Sequence, residues 1–240
     1  MKLFIIIGIL TSFVFGWVGE ITALKGTANI IRNNKTLTAK VGFKLEKNDN
    51  IKTLDKTKMQ IIFKDNTIIT IGKNSLLKIS DYLFDDKNSK AKFRLSHGIM
   101  KTLTGKIGKF APKRFKIRTK NASIGIRGTY FIVETKNDIV KLSMLSGITT
   151  FTNLNTMKTV EVKKGEQLIF NTNLNKIVIK PNFIEPNTIK FNQIKSNKNI
   201  SSAINNIEST ASDIENNINK NIKPSTFEFK YPPEYLKDLY

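Results

Sequence analysis

The side chains able to do acid–base, nucleophilic or metal chemistry are few. The chain of 240 residues holds one histidine, His97, and no cysteine. Thiol catalysis, thiolate metal sites and disulfides are therefore excluded, and so is a histidine-rich zinc site. His97 lies between Ser96 and Gly98 at what reads as a strand end. No second titrating residue stands at a spacing that would make it half of an acid–base pair, so it reads as a surface or hydrogen-bonded histidine. Asp81, Asp85 and Asp86 could in principle hold Ca²⁺, but the Asp-x-Asp-x-Asp-Gly order and distal Glu of a calcium loop are missing. Gly72-Lys73-Asn74-Ser75 and Gly105-Lys106-Ile107-Gly108-Lys109 echo phosphate loops without the Gly-x-x-x-x-Gly-Lys-Ser/Thr spacing. No catalytic residue, metal site or cofactor is expected, and the chain reads as a non-enzyme.

Charge is the stronger signal. Lys and Arg number 40 against 19 Asp and Glu, a formal net charge of +21. Residues 1–180 hold 33 basic and 12 acidic side chains, whereas residues 181–240 hold 7 of each, so the basicity belongs to the body. Between Asp86 and Glu134 there is no acid and there are 13 basic residues. Such a stretch repels itself unless solvent or an anionic partner screens it. Lys101, Lys106, Lys109, Lys113, Arg114, Lys116, Arg118 and Lys120 are the candidate binding face. Phe110 and Phe115, inside the stretch, are expected to pack under the sheet.

The elements that must position these residues read as strands. From Val18 to Lys180 short alternating or β-branched runs are broken by Gly, Asn and Asp at intervals of about 8–12 residues, the pattern of an all-β sandwich, barrel or solenoid. Met59–Phe63 and Thr67–Ile71 flank Lys64-Asp65-Asn66 and predict a hairpin, because Asp and Asn tolerate a left-handed turn. A second hairpin is expected from Ile139–Met144 and Ile148–Thr152 across Leu145-Ser146-Gly147, with Gly147 at positive φ. In Thr119–Thr129, Gly125 and Gly128 bracket Arg127, which suggests a backbone that turns or is closely approached, with the guanidinium satisfying carbonyls nearby.

The two ends differ from the body. Met1-Lys2 followed by the apolar run Leu3 to Phe15 has the form of a secretory signal, read as cleaved after Gly16 or else kept as an inner-membrane anchor. The run is shorter than the roughly 20 residues of a membrane helix. Export to the periplasm makes an envelope protein or an anionic envelope polymer the expected partner, and not nucleic acid. Ile200, Ile204, Ile207, Ala211, Ile214 and Ile218 recur at heptad spacing and predict an amphipathic helix, which either docks on the body or self-associates. Pro224, Pro232 and Pro233 end it before an extended aromatic tail. The organisation expected is a signal over 1–16, an all-β body over 17–180 and a tail over 181–240.

The block Ala122-Ser123-Ile124-Gly125-Ile126-Arg127-Gly128-Thr129, followed by Tyr130-Phe131, resembles the Ala-x-Ile-Gly-Ile/Val-Arg-Gly-Thr-x-Phe motif of the FecR domain. Gly26, Gly42, Asn48–Thr53, Lys64–Thr67, Asn74-Ser75, Gly98, Thr104–Lys106, Gly147 and Gly165 are similar in order. The resemblance spans about residues 18–170. It implies a β-solenoid-like periplasmic module without catalytic activity, acting in protein recognition and signalling, with Gly125, Arg127, Gly128 and Thr129 in mainly structural duty. The family's regulators carry a cytoplasmic sigma-binding domain ahead of the membrane, and only Met1 and Lys2 precede the apolar run here. An envelope-structural protein, or one that binds glycan or lipid headgroups through the same basic face, is the alternative reading.

Overall fold

Apolar residues alternate with polar ones along nearly every segment of the body, and each such segment is a strand with its apolar side buried. The computed structural model describes residues 16–181 and Ile189. The signal segment, the Ile200–Ile218 helix and the aromatic tail lie outside the described residues. The elements run β1 (Gly19–Lys25), β2 (Ala28–Arg32), β3 (Lys35–Thr38), β4 (Lys44–Leu45), β5 (Asn50–Thr53), β6 (Lys58–Phe63), β7 (Ile68–Ile71), β8 (Leu76–Leu83) and β9 (Lys90–Leu103). After β9 come a one-turn helix α1 (Lys106–Phe110) and a 3₁₀ turn (Pro112–Arg114). The chain continues through β10 (Phe115–Arg118), β11 (Ala122–Lys136), β12 (Ile139–Asn153), β13 (Thr159–Lys163), β14 (Gln167–Asn171) and β15 (Lys176–Lys180).

All strands belong to one hydrogen-bonded sheet that does not close. Pairing is antiparallel throughout except between β9 and β10. The sheet folds over itself because β9, β11 and β12 are long enough to serve two layers. The second half of β9 pairs with β7 and β11, whereas its first half pairs with β8 and β10. The first half of β12 meets β14 and its second half meets β13. One layer thus contains β4, β1, β6, β7, β14 and β15, and the other β3, β2, β5, β8, β10 and β13. The long strands pass between them.

The passages occur at glycines with positive φ: Gly98 in β9 (+98°), Gly128 in β11 (+57°) and Gly147 in β12 (+79°). Ile139–Met144 and Ile148–Thr152 are therefore not a hairpin, as the sequence predicts, but one bent strand. Gly147 has the positive φ expected of it, yet its left-handed backbone redirects the strand instead of reversing it. The Lys64–Asn66 hairpin is present, with Asn66 at φ +65°.

A single apolar cluster fills the space between the layers. Phe63 of the first layer meets Tyr82 and Phe93 of the second at centroid distances of 5.4 and 5.0 Å. Phe151 and Phe170 make the same cross-layer contact at 5.5 Å. A separate small cluster of Ile99, Ile132 and Ile189 lies on the outer side of the first layer. Phe115 is fully buried as expected, but Phe110 is 83% exposed. It ends α1, where the chain leaves the sheet, so no strand lies over it.

Candidate functional site

Strand alternation explains why basic side chains gather on the outer face of the second layer. In β9 Ala91, Phe93 and Leu95 point into the core, so Lys92 and Arg94 point out. In β10 Phe115 and Ile117 are buried, so Lys116 and Arg118 point out. The parallel register sets Lys92 opposite Lys116 and Arg94 opposite Arg118. On the other side of β9, Arg94 faces Lys78 of β8. The result is one row Lys78, Arg94, Arg118 and a second row Lys92, Lys116. The first row continues through Ser123 of β11 to Thr152 of β12 and Thr159 of β13, whose hydroxyls bond each other at 2.9 Å.

Acids touch this face only at its margins. Asp81, opposite Lys92, is held by Lys47 and Lys90 at 2.9 Å each and by Lys92 at 3.7 Å. Burial works to raise its pKa, but hydrogen bonds and attraction from Lys90 and Lys47 prevail and hold the carboxyl below its usual range. Glu161 stands beyond Gly125 and Thr150 at the far end of the second row. Among the described residues, Lys78, Arg94, Lys116 and Arg118 take part in no ion pair.

The other predicted face residues lie elsewhere. Lys106 and Lys109 are exposed on α1, and Lys113 and Arg114 on the 3₁₀ turn. Lys106, Lys113 and Arg114, with Phe84, Ile107, Phe110 and Pro112, border an open groove of about 630 Å³ between this segment and the β8–β9 loop. Arg114 Nη1 donates to the Lys87 carbonyl at 2.9 Å and ties the two walls together. Asp85 and Asp86 also line the groove. Lys101 is on the outer side of the first layer, in register between Thr70 and Ile132, with its ammonium 4.7 Å from the Tyr130 ring centre. Lys120 is exposed in the β10–β11 turn. Of the eight residues, Lys116 and Arg118 share the sheet face, four share the α1 region, and Lys101 and Lys120 stand apart. Lys78, Lys92 and Arg94, which complete the rows, sequence reasoning left out of the face. Their alternation with core residues was the available signal.

The Arg-Gly-Thr block lies at the bend of β11. Gly125 sits opposite Thr150, where a β-carbon would come 2.6 Å from the threonine hydroxyl. Thr129 is buried, its N–H donating to Thr104 Oγ1 at 2.8 Å while its carbonyl accepts from Thr104. Arg127 does not satisfy carbonyls. It is exposed at the bulge, with no hydrogen bond among the described residues, because the left-handed Gly128 that follows carries the chain away.

Two acids that the sequence analysis passed over are fully buried. Asp49 accepts from Arg32 Nε at 2.8 Å and Arg32 Nη2 at 2.7 Å, and this hydrogen bonding raises the guanidinium's pKa further. Among the described residues Asp65 meets no cation. Its Oδ1 accepts from the Thr67 N–H at 3.1 Å and the Tyr82 hydroxyl at 2.9 Å, and its Oδ2 from the Thr67 hydroxyl at 2.8 Å and the Ile107 N–H at 3.1 Å. Burial and the adjacent Asp65 push the pKa of the Tyr82 hydroxyl far up, so it stays a donor. Through these bonds the β6–β7 turn fixes the start of α1.

His97 is exposed at the end of the first half of β9, opposite Leu76. Asp85 accepts from the backbone N–H groups of Lys87 and Asn88, and does not converge with Asp81. No group of three metal-ligating side chains occurs among the described residues.

Comparison with known proteins gives one family match: residues 49–150 fit the model of the family described as FecR protein. That stretch contains the Arg-Gly-Thr block, both cationic rows and the α1 region. No curated protein matches the chain significantly. Two crystal structures of a proposed anti-sigma factor from Parabacteroides distasonis ATCC 8503 are similar, each at 15% identity and a TM-score of 0.46. Each alignment covers 55% of this chain and 59% of the other.

Proposed function

With residues 49–150 a match to the FecR family, we propose that the protein is a non-enzymatic regulatory module of the cell envelope that recognises another protein. Within this reading the chain is exported, residues 17–180 are the FecR-like body, and the three long strands that cross between layers support a solenoid-like winding. The partner contact is the α1 region. One observation carries it: Phe110 is 83% exposed and stands among Lys106, Lys109, Lys113 and Arg114. An exposed aromatic on a groove where Lys87, Lys106, Lys113 and Arg114 outnumber Asp85 and Asp86 suits a partner surface with an apolar pocket and a mainly acidic rim, since aromatic anchors dominate such contacts and rim charges steer them. The long-range field of a chain with net charge +21 favours the same acidic partner.

The test is capture of a defined partner from an envelope extract by the full chain, at low and high salt. The wild-type chain is expected to retain a protein that high salt releases and that both Phe110→Ala and the K109E/K113E double variant fail to retain, with His97→Ala unchanged. Retention that ignores salt and survives both changes would sink this reading. The second reading, binding of an anionic envelope polymer, is favoured by the two cationic rows on the sheet.

A further inference from the structure

We propose that the outer face of the second layer is a separate site for a linear anionic polysaccharide, held by Lys78, Arg94 and Arg118 in one row and Lys92 and Lys116 in the next. This rests on the second reading above and uses none of the α1 residues, so either site can fail alone. Like charges directly opposite one another on neighbouring strands weaken a sheet. Here three such pairs, Lys78 with Arg94, Arg94 with Arg118, and Lys92 with Lys116, stand in register, and among the described residues only Lys92 of these five cations meets an acid. A bound polyanion removes the repulsion.

The geometry selects the polyanion. Neighbouring strands lie about 4.8 Å apart and alternate residues about 6.8 Å along each strand, so the cations form a flat grid that matches charges recurring along an extended chain. Arg94 and Arg118 stand side by side and offer planar forks suited to carboxylate or sulfate. The first row runs on into Ser123, Thr152 and Thr159, whose hydroxyls can meet sugar hydroxyls. From Lys78 to Thr159 in the first row, and from Asp81 to Glu161 in the second, no aromatic or aliphatic side chain intervenes; Ile31 enters the first row only beyond Asn50. That disfavours a lipid surface, which peripheral proteins grip with inserted apolar groups, and a protein partner, which needs an apolar anchor.

Binding of the full chain to polygalacturonate, to dextran sulfate and to phosphatidylglycerol vesicles tests this, with the variants K116E/R118E and K109E/K113E, which change net charge equally. The wild type is expected to bind the two polymers at physiological salt. K116E/R118E should weaken that binding by about tenfold or more. The same variant should melt no lower than wild type, because the introduced carboxylates stand opposite Lys92 and Arg94 and turn two repulsive cross-strand pairs into attractive ones. K109E/K113E should bind the polymers within about twofold of wild type. Equal loss in both variants reduces the effect to net charge and overturns the proposal, as does binding to vesicles alone or to neither polymer. Loss of the protein partner by K109E/K113E with polymer binding intact would leave both sites standing.

Discussion

Asp65 shows how a single residue can set a surface it does not belong to. Its carboxyl group is fully buried with no cation against it among the described residues, and four donors from Thr67, Tyr82 and Ile107 converge on it. Buried polar groups persist only when their lone pairs are met in this way. Asp65→Ala leaves those donors without an acceptor and is expected to cost about 3 kcal/mol, read from urea unfolding. Asp65→Asn should not restore the loss, because its NH₂ would face a donor. Tyr82→Phe removes one of the four donors and also the acceptor of the buried Asp65 N–H at 2.9 Å, and should cost about 2 kcal/mol, less than Asp65→Ala. Asp65→Ala should also disturb the α1 surface and leave the sheet rows in place, since the Ile107 N–H at the start of that helix loses its acceptor. If Asp65→Ala and Asp65→Asn unfold at the wild-type urea midpoint, the network has no energetic role.

At the scale of the element, the bends in the long strands decide the architecture. Gly98 interrupts β9 at φ +98°, and a β-carbon there would lie 2.1 Å from Ser75 Oγ. Ser75 cannot move aside. Its hydroxyl accepts from the Ile99 N–H at 3.1 Å and donates to the Gly72 carbonyl at 3.0 Å, and its own N–H donates to Thr53 Oγ1 at 2.9 Å. Gly98→Ala therefore combines backbone strain with a clash against a fixed network and is expected to cost about 3 kcal/mol. Gly165→Ala, also at positive φ but with nothing near the new methyl, should cost about 1 kcal/mol. Thermal or urea denaturation of the two variants compares them directly. Equal losses would mean that the packing of Gly98 on Ser75 contributes nothing.

For the whole molecule the governing influence is unbalanced charge. A net +21, with like charges in register on one face, makes self-repulsion a destabilising load that counterions relieve. Tm should rise with added sodium chloride, most steeply at low ionic strength where the screening length is about 30 Å, and level off near 1 M where it is about 3 Å. K116E/R118E should flatten that dependence. A Tm independent of salt would show that the rows are already screened by the protein. The outer face of the first layer has a different character: Ile99 and Ile132 are covered there by Ile189, so the two outer faces of the folded sheet are chemically unlike.

Much of this was legible in the chain itself. Period-two alternation fixed which side of each strand faces the core, so the outward placement of Lys116 and Arg118 follows from Phe115 and Ile117 alone. The lack of acid between Asp86 and Glu134, the left-handed turn at Asn66 and the positive φ of Gly147 are local properties of residue types. Local pattern could not say which strands become neighbours. Lys78, Arg94 and Arg118 share a row because β8, β9 and β10 pair, a long-range choice set by burial across the whole core, and Lys101 left that face because β9 bends at Gly98 and enters the other layer. Chemistry of side chains is written residue by residue, but adjacency in space is decided by how distant strands bury their apolar sides together, and only the folded sheet carries that information.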